Sequence, residues 1–319
     1  MKRFLFITAA LVSVLVVAEV ICRIAFPGLA KGALYMRFTN PHREQSGFYP
    51  DDELFWKLSP DNAAWEVNHD GFRGPPVPVA KPDGEVRIVC LGDSCTFGLG
   101  ETGLAYAQTW PAVLQEIMTG KPAGRAVRAL NFGCPGTTSF QGLRLLKSKA
   151  SNYHPDIVIA YFGINDGFDA VGYADKDQRQ IGTPGSLSSI LVRSAFYKAM
   201  TRLIVSARRG LARGAPLERV SIEDYHRNLE SIAGASRSIG ATAYFIAPPY
   251  LDEQGGLRYE EQRVHVPSID VMPALRAVVA EGRQAIFPAP DNVHPTAQGH
   301  AAIARAVADR LLADKVAAR

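Results

Sequence analysis

The sequence predicts an α/β fold, a parallel sheet covered on both faces by helices and preceded by one N-terminal transmembrane helix. Three observations carry this expectation. Strand-length apolar runs at 86–91, 127–132, 157–162 and 241–247 alternate with helical stretches at 110–118, 140–151, 221–238 and 296–312. The first three runs each end at a glycine, Gly92, Gly133 and Gly163. Ahead of them all, 4–21 is apolar apart from Thr8, Ser13 and Glu19. There is no internal repeat and no low-complexity tract.

Met1-Lys2-Arg3 is a short basic start to that apolar run. About 20 apolar residues cross a bilayer, and the run reaches Phe26 if Glu19 and Arg23 sit near an interface. Those two are spaced i, i+4 with the glutamate first, the favourable orientation, and Arg23 is long enough to snorkel. Pro27-Gly28 ends the helix. The alternative is a secretory signal peptide cleaved after the small residues Val16 and Ala18. Apolar character continuing past Ala18 favours an uncleaved signal-anchor over 1–27. Cys22 makes a poor lipoprotein site because Ile21 before it is too large. Either way the rest of the chain is expected outside the cytoplasm (periplasmic in a Gram-negative cell), as a single-pass membrane protein or as a secreted one. Arg23, Lys31, Arg37 and Arg43 follow the span, so charge alone does not orient it.

Residues 28–84 read as an extended linker or strap. Pro75-Pro76-Val77-Pro78 and Lys81-Pro82-Asp83-Gly84 are extended and turn-forming. Phe48, Tyr49, Phe55, Trp56 and Trp65 argue against plain disorder. A strap packed across the following domain is preferred to a rim of a substrate cleft.

The domain proper is expected at 85–315. Its first strand empties into Gly92-Asp93-Ser94, where Gly92 is expected to permit a sharp turn. Asp291-Asn292-Val293-His294 precedes the last helix. A serine hydroxyl is a weak nucleophile until an imidazole takes its proton, and the imidazole needs an acceptor to hold its tautomer. Asp291 and His294, at i and i+3, lie within one turn of each other. An acyl-transfer site also needs donors aimed at an oxyanion. The Ser94 amide, the Gly133 amide and the Asn165 side chain are the candidates. Taken singly, Gly92-Asp93-Ser94 is equally a turn with Ser94 as a helix cap, Gly133 a loop glycine and Asn165-Asp166 a turn. Ser94, Gly133 and Asn165 all follow strand ends, however, and so point to one sheet edge.

The order Gly92-Asp93-Ser94, Gly133, Gly163-Ile164-Asn165-Asp166, Asp291-Asn292-Val293-His294 resembles the four blocks of the SGNH hydrolases, the GDSL-type esterases. The resemblance runs from Arg87 to about Leu312. It implies a flavodoxin-like three-layer α/β/α fold, Ser94 as nucleophile, His294 as base, Asp291 as its partner, and Gly133 and Asn165 in the oxyanion hole. The first block departs from the family in carrying Cys95, where an aliphatic residue or Thr is common. The stretches 68–74 and 87–98 also resemble a membrane-anchored bacterial subset. If the strands before Ser94 and Gly133 are neighbours, as the family implies, Cys95 and Cys134 lie on one edge. They could pair in an oxidising compartment with Cα atoms within ~7 Å; two free thiols are the expected state.

A chain of 319 residues with 47% hydrophobic content can build one sizeable core plus appendages. A net charge of +4 does not argue for nucleic acid. No phosphate loop, metal-ligand pair or Cys-x-x-Cys motif is present, so no cofactor or metal is expected. Residues 167–220 are too long for a simple connection and read as an insertion. Within it Phe196, Met200, Leu203, Ile204, Ala207 and Leu211 fall on one helical face and Lys198, Arg202, Arg209 and Arg213 on the other. Such a helix can lie on an anionic membrane or cap a cleft, but an ordinary surface helix with a solvated charged face is the expectation.

The sequence therefore points to an extracytoplasmic, membrane-held serine esterase acting on small acyl esters, with O-acetyl groups on a cell-surface glycan as a candidate substrate. An O-acyltransferase with a sugar hydroxyl as acceptor is the alternative. Hydrolysis is preferred because 166–220 holds no cluster of sugar-stacking aromatics. A non-catalytic glycan-binding or assembly subunit would have no need of Ser94, Asp291, His294 and Asn165 together.

Overall fold

The computed structural model describes residues 2–26, 47–51, 53–99, 103–121, 124–170, 174–178, 191, 194–200, 203–204, 217–259, 263, 268–280, 286–287 and 291–315. The strands are β1 (Phe48–Asp51), β2 (Phe55–Leu58), β3 (Val86–Gly92), β4 (Val127–Gly133), β5 (Ile157–Tyr161), β6 (Thr242–Ile246), β7 (Pro249–Leu251), β8 (Leu257–Tyr259) and β9 (Ser268–Ile269). The chain divides into two compact units, Met1–Lys57 with Asp169–Arg219, and Leu58–Phe168 with Val220–Arg319.

The second unit is built on a five-stranded sheet in the order β4-β3-β5-β6-β9. Every neighbouring pair in it is parallel. Counted along the chain, that order is 2-1-3-4-5, the flavodoxin-like winding. Because strand side chains alternate, each strand feeds two cores. Val86, Ile88 and Cys90 pack on one face with Trp110, Leu114, Leu275 and Ile303. Val89 and Leu91 pack on the other with Leu146, Tyr153, Tyr225 and Leu229. Helices Trp110–Met118, Met272–Val279 and Ala297–Ala313 thus cover one face, and Ser139–Ser148 and Ile222–Ser238 the other. This is the three-layer α/β/α arrangement expected from the sequence.

The four long strands lie within a residue or so of their expected positions. The fifth, β9, is two residues long and has no periodicity to read. The β7–β8 hairpin, antiparallel from Pro249–Tyr259 to Leu251–Leu257, also has no counterpart in the sequence reading. Ser221 caps the helix Ile222–Ser238 by accepting from the Asp224 amide. The Asp224 carboxylate takes the Ser221 hydroxyl, 2.9 Å, because Asp is shorter than the Glu or Gln that usually reaches back to the N-cap amide.

Residues 58–84 pack on the sheet unit. Phe72 stacks on Phe132 and Tyr153 at centroid distances of 4.8 and 5.6 Å. The Asn68 side chain closes the turn beneath it, accepting from the Asp70 and Phe72 amides. Arg87, fully buried on β3, donates to the carbonyls of Pro78, Val79, Ala80 and Tyr153 and to Glu85. That single guanidinium fixes the extended proline segment against the start of the strand.

In the first unit, helix Lys2–Ala25 has 24 residues, a mean hydropathy of 2.6 over its most apolar window and no burial, so it is long and apolar enough to cross a membrane. Arg219 pairs with Asp175, both buried, at 2.9 Å, and lies over the Trp56 ring at 5.7 Å. Among the described residues of the insertion, helical ones occur at 175–178, 191, 195–200 and 203–204. Here the expected two-faced helix is overturned in part. Lys198 is buried, 5% exposed, while Leu203 is 63% exposed. Arg202, Ala207, Arg209, Leu211 and Arg213 lie outside the described residues, as does 27–46.

Candidate active site

The candidate nucleophile sits where β3 meets the short helix Ser94–Phe97. Asp93 caps that helix, its carboxylate accepting from the Cys95 amide at 2.9 Å. Gly92 is required for space and not for an unusual turn. A Cβ there would lie 2.0 Å from Thr96 Oγ1 and 2.8 Å from the Tyr161 carbonyl. The expected sharp turn at Gly92 is thus replaced by a close approach of helix to strand.

The sheet edge then collects the distant residues. His294 Nε2 lies 2.7 Å from Ser94 Oγ, and His294 Nδ1 lies 2.6 Å from Asp291 Oδ2. Asp291 Oδ1 accepts the Val293 and His294 amides at 2.9 and 3.0 Å, so the aspartate both shapes the turn and faces the ring. Asn292 holds the same turn on β7, exchanging hydrogen bonds with Leu251. The Cys95 thiol donates to the Val293 carbonyl at 3.3 Å, tying the residue beside Ser94 to the histidine's loop. Thr296 then caps the helix Ala297–Ala313.

The electrostatics follow from this packing. Burial lowers the His294 pKa, but the hydrogen bond and charge of Asp291, with Asp93 behind them, outweigh it, and the net shift is upward. Burial pushes Asp291 up, while the side-chain and backbone hydrogen bonds from His294 pull it down further, so it stays ionised. Asp93 is buried and its pKa is raised to about 6, chiefly by desolvation. A ring whose Nδ1–H is held by a carboxylate presents Nε2 as an acceptor to the serine hydroxyl.

Of the three expected oxyanion donors, the structure treats each differently. The Ser94 amide, first in its helix, makes no hydrogen bond among the described residues, as helix starts leave such groups unpaired. The Asn165 side chain lies at the end of β5 and donates one of its amide hydrogens to Asp93 at 3.0 Å, which fixes its plane and leaves the second hydrogen. Gly133 is the correction. Its amide donates to Asn131 Oδ1 at 2.9 Å, and a Cβ there would meet the Phe97 amide nitrogen at 2.2 Å. It lies under the helix, not facing an oxyanion. The second loop instead reaches the site through a turn at Cys134–Thr137, closed by the Thr137 amide on the Cys134 carbonyl. Pro135 and Gly136 are its central residues, and Gly136 has φ +79°, the pattern of a type II turn. The Cys134 amide and Thr137 hydroxyl both donate to the Gly92 carbonyl. The Pro-Gly pair was the available sequence signal for this turn.

Other supporting residues escaped the sequence reading. Asn131 and Arg73 donate to the carbonyls at the end of helix Ser94–Phe97, at 2.9 Å to Thr96 and 2.7 Å to Phe97. Asp166 accepts the Ser139 amide and hydroxyl, anchoring the Asn165 loop on the start of the preceding helix Ser139–Ser148. Cys95 and Cys134 are both buried and form no disulfide.

A serine, an imidazole and a carboxylate linked in a row at the carboxyl edge of a parallel sheet have the arrangement that acyl transfer by a serine hydrolase requires. The family model described as GDSL-like lipase/acylhydrolase matches residues 90–302, and the chain belongs to that family. It is a GDSL/SGNH-type serine esterase. Among solved structures, the chain is similar to a lipase/acylhydrolase from Enterococcus faecalis, with 20% identity over 72% of this chain and 96% of that one, TM-score 0.42. It is similar to TesA, with 21% identity over 70% and 97%, TM-score 0.46. Axe2, an acetylxylan esterase from Geobacillus stearothermophilus, is similar with 18% identity over 71% and 94%, TM-score 0.42. A search of curated proteins gives no match.

Proposed function

We propose that this esterase hydrolyses small acyl esters outside the cytoplasm through an acyl-serine on Ser94, while held to the membrane by residues 1–27. The observation that supports the site assignment is the unbroken chain Ser94 Oγ, His294 Nε2, His294 Nδ1, Asp291 Oδ2, with links of 2.7 and 2.6 Å. Ser94 Oγ attacks the ester carbonyl carbon as its proton passes to His294 Nε2. Asp291 stabilises the imidazolium and remains ionised. The Ser94 amide and the Asn165 side chain face the developing oxyanion. Collapse breaks the ester C–O bond, and the departing alkoxide takes the proton from Nε2. Water then attacks the acyl carbon, losing a proton to Nε2. The acid leaves as Ser94 Oγ recovers that proton.

The favoured substrate is an O-acetyl or similarly short acyl ester on a cell-surface glycan, with residues 28–84 as the strap between anchor and hydrolase domain and 167–220 as an insertion within it. The test is turnover by the purified full-length protein of p-nitrophenyl acetate against longer acyl esters, followed by partitioning of an acetyl donor between water and added oligosaccharides. Free acetate as the main product supports the hydrolase. Most of the acetyl appearing on the sugar would replace this reading with a transferase.

A further inference from the structure

The apolar N-terminal helix carries one acid, Glu19, and that acid has an unusual set of partners. Its carboxylate accepts the Ser194 hydroxyl at 2.7 Å, the Ala195 amide at 3.0 Å and the Phe196 amide at 2.9 Å. The Tyr197 amide donates to Ser194 Oγ at 3.0 Å. The first amides of a helix have no partner within it, so Glu19 and Ser194 together satisfy the first three amides of the segment at 195–200. Arg23 closes the arrangement with a 2.7 Å ion pair to Glu19. A carboxylate on a membrane-spanning helix is costly unless paired, and here the pairing is with a specific helix start.

Depth along the span locates this contact. At roughly 1.5 Å per residue, Glu19 lies about 24 Å beyond Arg3 along the helix axis. The hydrocarbon layer is about 30 Å thick. With Lys2 and Arg3 at one face, Glu19 comes within about one turn of the other, and the segment it caps begins at that interface. That segment then exposes apolar side chains: Leu203 63%, Ile204 48%, Met200 38% and, just before it, Leu191 36%. Met200, Leu203 and Ile204 are spaced i, i+3, i+4, the sequence spacing of one helical face. Between 178 and 217 the sequence carries seven Lys or Arg and no Asp or Glu. A stretch of sequence with a surplus of positive charge and exposed apolar side chains suits the surface of an anionic bilayer.

We propose that the segment containing Met200, Leu203 and Ile204 lies in the outer interface of the membrane, docked on the anchor through Glu19, with anionic lipid as the partner of its exposed apolar face. This rests on the anchor being retained. It assigns the insertion a role that no requirement of ester chemistry supplies.

The test uses full-length protein in vesicles of phosphatidylethanolamine and phosphatidylglycerol, with an environment-sensitive nitrobenzoxadiazole label at Leu203→Cys or, separately, Met200→Cys. Ile239→Cys, at the exposed end of helix Ile222–Ser238, is the aqueous control. Either insertion label should shift its emission to the blue and lose most of its intensity to lipids doxyl-labelled near the headgroup, while the control does neither. Glu19→Ala should weaken the quenching and leave the protein resistant to alkaline carbonate. Carbonate-resistant protein whose insertion labels both behave like the control would overturn the proposal and leave the anchor standing. Release by carbonate, or a mature N-terminus beyond Glu19, would overturn both.

Discussion

Removal of the Asp93 carboxylate tests the site more sharply than removal of the nucleophile, because Asp93 touches no reacting atom on the proposed mechanism. It is buried, accepts from the Cys95 amide at 2.9 Å and holds the Asn165 amide at 3.0 Å. Asp93→Ala leaves Asn165 free to rotate out of the position in which its second hydrogen is proposed to face the oxyanion. A hydrogen bond to a charged group contributes about 1.5–3 kcal/mol. At about 1.4 kcal/mol per decade of rate, its loss corresponds to roughly a 10- to 100-fold fall in kcat with KM little changed. Asp93 also helps hold the His294 pKa up, so removing it should move the acid limb of the kcat profile to lower pH. Asp93→Asn keeps the volume and one acceptor but turns an amide toward the Asn165 amide. It should share the pH shift with less loss of stability. The assay is p-nitrophenyl acetate hydrolysis from pH 5 to 9, with thermal melts of each variant. A melt near wild type, kcat within about two-fold and an unmoved acid limb would refute the role assigned to Asp93 and weaken that of Asn165.

Four further outcomes are expected. Ser94→Ala should lower kcat by ~10⁴-fold or more while the protein remains folded, measured by active-site titration and circular dichroism. Wild-type activity should rise with pH through a midpoint above the ordinary histidine value, because His294 must be neutral to act as base and its pKa is raised; the stability it gains from Asp291 runs the opposite way, full at low pH and lost as pH rises through that midpoint. A rate flat from pH 5 to 8, with chemistry shown to be rate-limiting, would count against a histidine base. Gly92→Ala should cost at least about 1–3 kcal/mol in urea unfolding, since the Tyr161 carbonyl 2.8 Å from the new Cβ belongs to a central strand. Arg87→Met should destabilise by about 3–5 kcal/mol, leaving the buried Glu85 with only the 3.8 Å pair to Arg128, yet leave kcat of the folded fraction unchanged because Arg87 lies at the opposite end of β3 from Ser94.

The sequence by itself determined the fold class and the four long strands, and it singled out Ser94, Asp291 and His294 as the candidate site residues. Each of these is a local signal. Strand and helix periods are written in runs of five to seventeen residues, and an Asp and a His at i, i+3 must meet if the turn forms at all. It also located Asn165 at a strand end. What it did not determine was anything set by one segment pressing on another. Gly133 and Gly136 are both loop glycines in sequence. Only the approach of helix Ser94–Phe97 to β4 buries the first beneath it and gives its amide to Asn131. Gly92 likewise reads as a turn residue until Thr96 is seen against it. Lys198 is buried and Leu203 exposed against the pattern of their residue types, because burial depends on which neighbours cover a face and a single helix period is blind to that. The capping of the Ser194 segment by Glu19, 175 residues away in sequence, is the extreme case. A hydrogen bond between such distant groups leaves no mark on either local pattern, and tertiary packing alone decides that they meet.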